Sequence, residues 1–233
     1  MLIGMRNAML AGGDLSAKSY VQDGLVAMWD GEWNAGGGVH DPNATKWVDL
    51  VGGVELSKYG TPTINTDSYS FDGSSAMYKS QSFGEIDHWE IVCALMVSSV
   101  TENSDPEIMR LNGTWQQKCF TWNGMCPGIG FGIPMKGGAS PVSKEQGAVG
   151  KRWSLAWSSA ITPQKVYRNG VQAATWNTTF VQETTSSIII GAGGTLYRPS
   201  KSEVCCVRLY SRALTAAEVA ANYAIDKARF NLT

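Results

Sequence analysis

The chain is poor in the features that mark several common functions. It has two histidines, no basic run, and a net charge of −1, with 19 Lys and Arg set against 20 Asp and Glu. A nucleic-acid surface or an anionic membrane face needs cations massed on one stretch, so neither partner is expected. No apolar run approaches the length that spans a bilayer. The five cysteines are an odd number and show neither zinc-site spacing nor a disulfide framework, which fits synthesis in a reducing compartment. Cys205 and Cys206 are adjacent, and in a regular strand they would point to opposite faces, at least one as a small core residue. Arg6 splits the N-terminal apolar stretch, leaving no signal-peptide core of even ~7 residues. Residues 1–23 are therefore expected to be an arm or leader of the mature chain, made in the cytoplasm, ahead of one domain over 24–233.

What the chain has in quantity is turn residues and aromatics: Gly 26, and 10% Phe, Trp and Tyr. A length of 233 residues is within reach of a single all-β sandwich. Trp153 to Trp157 alternates apolar and polar residues with the period of a half-buried strand. Asn169-Gly170 separates two strand-like runs, the signature of a hairpin whose two turn residues need positive φ. Residues 187–191 and 204–210 read as buried strands. Thr215 and Glu218 have the spacing of a capping box, Leu214 and Val219 that of a hydrophobic staple, and Val219, Tyr223 and Phe230 form a helical stripe. Further upstream, 24–53 reads as strand, loop and short strand. Asp72-Gly73 predicts a hairpin that pairs Tyr69 and Phe71 with Ala76 and Tyr78 in the core. Strands are also expected near 89–98, 107–111, 118–122 and 128–133. The Gly-x-Gly-x-Gly run at Gly128 lacks a following helix, which argues against a phosphate loop.

These words in this order resemble a known family. Lys165-Val-Tyr-Arg-Asn-Gly170, then Ile190-Gly191, then Val207 through Val219 are similar to the end of the LamG-like (laminin G, concanavalin A-like) domain. Tyr69-Ser-Phe-Asp-Gly73 and the stretches at 24–31 and 47–52 resemble its earlier strands. The resemblance spans about residues 24 to 230 and is loosest over 84–150. It implies an all-β, two-sheet antiparallel sandwich (a jelly roll) with a short C-terminal helix. It also implies non-catalytic recognition of a glycan or bacterial surface polysaccharide. The leader resembles those of phage and prophage structural proteins from gut bacteria. That makes a virion-associated component, attached or self-associated through residues 1–23, the second reading.

Three constellations carry chemistry. Glu85-Ile-Asp87-His-Trp-Glu90 resembles the signature of laminarinase-type glycoside hydrolases, with Glu85 as nucleophile, Glu90 as acid/base and Asp87 tuning them. Such a retaining enzyme needs the carboxyls on one face; the competing reading is a charged strand entrance, and the rest of that family's pattern is missing. The loop 30–43 places Asp30, Glu32, His40 and Asp41 among glycines. It reads either as a calcium site built on Asp30 and Asp41 or as a turn-rich loop whose side chains cap the backbone. Among the nine tryptophans, Trp29, Trp89, Trp153 and Trp157 follow strand patterns, whereas Trp33, Trp115 and Trp122, with Tyr197, sit among turn residues. An open ring beside amides and charges suits sugar stacking, so these four are the expected ligand-binding residues; the alternative is that each folds back onto the sandwich edge. Asn-x-Ser/Thr acceptors stand at Asn43, Asn112, Asn177 and Asn231.

Overall fold

The computed structural model describes residues 19–96, 106–112, 117–121, 129–131, 150–159, 161, 163–176, 184–193 and 198–233. They form two antiparallel sheets packed face to face, with a C-terminal helix on the outside of one of them. In chain order the strands are β1 (Leu25–Asp30), β2 (Lys46–Val48), β3 (Glu55–Tyr59), β4 (Thr63–Ile64), β5 (Tyr69–Asp72), β6 (Ala76–Glu85), β7 (His88–Leu95) and β8 (Glu107–Asn112). They continue with β9 (Gln117–Thr121), β10 (Ile129–Phe131), β11 (Arg152–Ser158), β12 (Gln164–Arg168), β13 (Val171–Trp176), β14 (Thr184–Ile190) and β15 (Lys201–Tyr210), and the helix is α1 (Ala216–Phe230). The first sheet runs β13-β12-β11-β7-β15, with β5-β4 along one half of β15 and β1 along the other. The second runs β10-β9-β8-β14-β6-β3-β2. This is the all-β, two-sheet antiparallel sandwich that the family resemblance implied.

The core between the sheets is built by alternation. Trp89, Ile91, Cys93 and Leu95 of β7 point inward, to meet Trp29, Trp47, Trp157, Leu56, Met77, Ile188 and Ile190. The Asn169-Gly170 hairpin forms as expected, with φ of 48° and 74° at the two turn residues. A side chain at Gly170 would also strike the Tyr223 ring, so glycine is required there twice over. The capping box forms as well: Glu218 N donates to Thr215 Oγ1, and Thr215 N to the Glu218 carboxylate, at 3.3 and 2.8 Å. Leu214 and Val219 share one buried cluster, as a staple requires.

Three local expectations are overturned. Asp72-Gly73 turns the chain but makes no hairpin: β5 pairs with β15 in the first sheet and β6 with β14 and β3 in the second. Asp72 instead caps the crossing by accepting from the Ser74 amide and the Ser74 and Ser75 hydroxyls. Tyr69 and Phe71 are core, but Tyr78 lies outside, 42% exposed. Cys205 and Cys206 do not face opposite ways, because the register slips between Val204 and Cys206 and both pack under the helix. Finally, the packed body reaches back past residue 24. Tyr20 is buried against Phe230 and Leu232, and the Val21 amide donates to Asn222 Oδ1 at 3.0 Å.

Candidate functional site

The sandwich has two outer faces, and they are built differently. On the first sheet the outward row of β7 and β15 holds His88, Glu90, Arg208 and Tyr210, all buried, because α1 lies across them. Arg208 donates from Nε to Glu90 Oε2 at 2.7 Å, and from Nη1 and Nη2 to the two oxygens of Asp226 at 2.8 and 2.6 Å. Asn222 bonds both Glu90 and the Tyr210 hydroxyl, while His88 lies between Glu90 and Ser158. Tyr20 closes the cluster: its hydroxyl donates to Asp226 Oδ1 at 2.8 Å, and Arg208 stacks over its ring at 4.1 Å. Burial alone would raise the Glu90 carboxyl, but Arg208 and His88 outweigh it and hold the group below the usual range.

This placement separates the residues of the glycosidase-like motif. Glu85 ends β6 in the second sheet and is exposed, Asp87 sits half-buried in the link between the sheets, and Glu90 is sealed under α1 with Arg208 on it. The expectation of one shared carboxylate face is therefore corrected: the chain changes sheets within the motif, and Glu90 has no path to a substrate. Asp87 is itself perturbed to about 6, by burial first and then by the charge of Glu85, and its Oδ1 is buried without a hydrogen-bond partner.

The loop after β1 is tied to the same helix. Arg229 grips both oxygens of Asp30, at 2.7 and 3.0 Å, and reaches Glu32 at 2.9 Å. Asp41 caps the Asn43 amide, Asn34 bridges Asp41 by both its amide and its carbonyl, and His40 contacts the Gly31 carbonyl. Asp30 and Asp41 are thus engaged as ion-pair partner and turn cap. Among the described residues no three His, Cys, Asp or Glu side chains gather as a ligand set. Trp33 is half-buried with the Arg229 guanidinium 4.1 Å over its ring, so one of its faces is already covered. Trp115, Trp122 and Tyr197 lie outside the described residues.

The second sheet's outer face has no helix across it among the described residues. The register pairs Ser57 with Tyr78 and Tyr59 with Ala76, so Tyr59 and Tyr78 share this face on neighbouring strands, 48% and 42% exposed. Across β14 the row continues through the buried Ile189 to the buried Arg110 and on to Lys118 of β9. A bulge between Glu107 and Met109 lets Ile108 and Met109 both enter the core, which turns Glu107 and Arg110 outward together. There they form a two-pronged ion pair at 2.6 and 2.5 Å. Lys46 pairs with Glu55 at the other end of the row, and Asn112 donates to Ser187 at 2.9 Å. Large rings left in water beside hydrogen-bonding groups are the informative exception on a sandwich surface. The tyrosine pair was hidden in the sequence by the hairpin reading, which put Tyr78 in the core.

No protein-family model matches the chain, and no curated protein matches it. Solved structures do. A sialidase from Trypanosoma rangeli, in complex with sialic acid, superposes with a TM-score of 0.64 at 16% identity, over 86% of this chain and 32% of its own. Domain 4 of AbnA, a GH43 extracellular arabinanase from Geobacillus stearothermophilus in complex with arabinotriose, gives 0.65 at 15% identity, over 87% of this chain and all of that one. The chain thus spans about a third of the sialidase's length. At these identities the likeness establishes the β-sandwich fold.

Proposed function

We propose that this chain is a non-catalytic carbohydrate-binding module of the LamG-like type, taking a glycan or bacterial surface polysaccharide on the outer face of its second sheet. The observation that carries this reading is the pair of open rings, Tyr59 and Tyr78, flanked by Ser57, Lys46 and Glu55. A ring offers its face to the apolar side of a pyranose while neighbouring polar groups bond the hydroxyls. Support of a second kind comes from the fold neighbours, one solved with sialic acid and one with arabinotriose. The test is a polysaccharide and glycan-array screen of the full chain beside Tyr59→Ala and Tyr78→Ala, with calcium present and chelated. Binding lost in both variants and unchanged by the chelator is the expected result. Binding that the variants retain removes this face from consideration.

A structural role in a particle is the second reading, and the seating of Tyr20 favours it. Tyr20 and Val21, which follow the N-terminal arm, are fixed by Asp226, Arg229 and Asn222, so an attachment made through that arm would start from an anchored point on the domain. Size-exclusion mass of the chain with and without residues 1–18 tests it.

A further inference from the structure

The open part of the tyrosine-bearing face sets the direction of a ligand, an inference that rests on the carbohydrate reading above. Tyr59, Ser57 and Glu55 alternate along β3 on the side away from the core, with Tyr78 and Ser80 beside them on β6 and Lys46 on β2. Towards β14 this surface closes. Opposite Tyr78 and Ser80 stand Ile189 and Ser187, both buried, and Ile189 packs with Ala76 against Ala192 of the segment that follows β14. On the other flank Val48, the β2 residue opposite Glu55, lies against Gly36 of the loop after β1, where an added Cβ would lie 3.2 Å from its side chain. Lengthwise the strip is open: Gly60 and Thr61 are exposed beyond Tyr59, and Ser80 and Gln81 beyond Tyr78.

The rings point the same way. Tyr59 lies opposite Ala76, so Tyr59 and Tyr78 stand two residues apart along the strands and one strand apart across them. That is about 6.6 Å along against about 4.8 Å across, so the line joining the rings runs nearer to the strand direction than to its perpendicular. A pyranose stacks on one such ring at a time, and engaging both takes successive sugars of one chain. With the β14 side closed, that chain continues along β6 past Ser80. We propose that the face holds an internal stretch of a polysaccharide running along β3 and β6, leaving the platform past Gly60 at one end and past Ser80 at the other.

Calorimetry of the full chain with oligosaccharide ladders of β-glucan, arabinan, galactomannan and polygalacturonate, free or capped at either terminus with a bulky group, tests this. Affinity for the ladder that binds should rise about tenfold or more from monosaccharide to oligosaccharide, and neither cap should change it for the longest members. Tyr59→Ala and Tyr78→Ala should each weaken binding about tenfold, with unchanged melting curves as proof of folding. Two matched substitutions read the path. Ser80→Trp should alter the affinity for the longest oligosaccharides several-fold, by blocking them or by stacking on them, and Lys46→Trp much less. Binding abolished by a cap on one terminus, or a monosaccharide bound as tightly as the chain, overturns the internal stretch and leaves carbohydrate binding standing. An effect at Lys46 equal to or larger than that at Ser80 overturns the direction, and binding that both Tyr→Ala variants retain removes the glycan from this face. If the parent chain binds no ladder, the carbohydrate reading falls too.

Discussion

Both outer faces of the sandwich hold a buried arginine bound to carboxylate, but the two arginines serve different ends. Arg208 joins elements far apart in the chain: Glu90 of β7, Asp226 of α1 and, through its ring contact, Tyr20. Arg110 bonds a residue three positions away on its own strand. The first pair holds a helix and the N-terminal segment on the sheet, and Glu90, Asp226, Asn222 and the Tyr20 and Tyr210 hydroxyls are all hydrogen-bonded in doing so. The second pair is buried as well, on the outer side of β8, with β14 between it and Tyr78. A buried charge cluster that ties elements together is therefore a poor guide to a binding site in this fold; the exposed rings Tyr59 and Tyr78 lie away from both arginines.

The largest test of this contrast is Arg208→Leu. It leaves Glu90 and Asp226 buried without their cation, and losing one partner of a buried pair costs about 3–5 kcal/mol. Denaturant unfolding should show that loss, and hydrogen exchange should show α1 and residues 19–24 opening together. If Arg208→Leu leaves exchange in residues 19–24 unchanged, the first face is not one unit. Glu90→Gln is the matched variant for the enzyme reading. It should cost stability through the same network and leave no hydrolytic activity to lose on β-glucans.

Thr215→Ala sharpens the contrast by touching only the helix start. Loss of the cap should cost about 1 kcal/mol, read by thermal melting, with little change at Tyr20. Glu218 belongs to the same cap, and its carboxyl is held at about 2 by hydrogen bonds from Arg212 first and the Thr215 amide next. A depressed folded value contributes stability above the unfolded value, about 4.3, and loses it as pH falls towards 2. A Glu218→Gln melt should therefore differ from the parent at pH 7 and converge with it near pH 2.

Asp87, where the chain passes between the sheets, should act in the opposite sense and more weakly. Its folded value of about 6 exceeds the unfolded value of about 3.9, so the folded state keeps a proton that the unfolded chain has released. Stability falls as pH rises through that window. Asp87→Asn should melt above the parent at pH 7 and with it below pH 4; a lower melting point at pH 7 would show that the carboxylate has a partner worth keeping.

Much of this architecture was legible in the residues, and the misses have physical causes. The Asn169-Gly170 turn and the Thr215–Glu218 cap are local, so a few neighbouring residues dictate them. Asp72-Gly73 dictates a turn equally well, but no local signal says which sheet receives the next strand, and Tyr78's exposure depends on that. The bulge at Cys205 belongs to the pairing with β7, not to Cys205-Cys206 itself. Glu90 looked accessible because its partner lies 118 positions away. A clue was present: Asn222 and Asp226 share the buried stripe of α1 with Val219 and Phe230, and polar residues there demand partners on the sheet. Trp33 stood among turn residues, and nothing in sequence places Arg229 over its ring. Trp115, Trp122 and Tyr197 lie outside the described residues.

The smallest expected effect on stability is the most telling about function. Tyr59 and Tyr78 protrude from the second sheet, so replacing either by Ser should shift stability by no more than about 0.5 kcal/mol. On the sealed face the same change at Tyr20, a buried ring hydrogen-bonded to Asp226 and Arg229, should be plainly destabilising. Three tyrosine-to-serine melts therefore rank the faces directly. A small loss at Tyr59 and Tyr78 is what the proposed glycan platform requires, since rings that stack on a ligand need not also hold the fold together. Tyr59→Ser or Tyr78→Ser costing as much as Tyr20→Ser would mean that the rings are packed in solution, and the second sheet would then have no open platform to bind with.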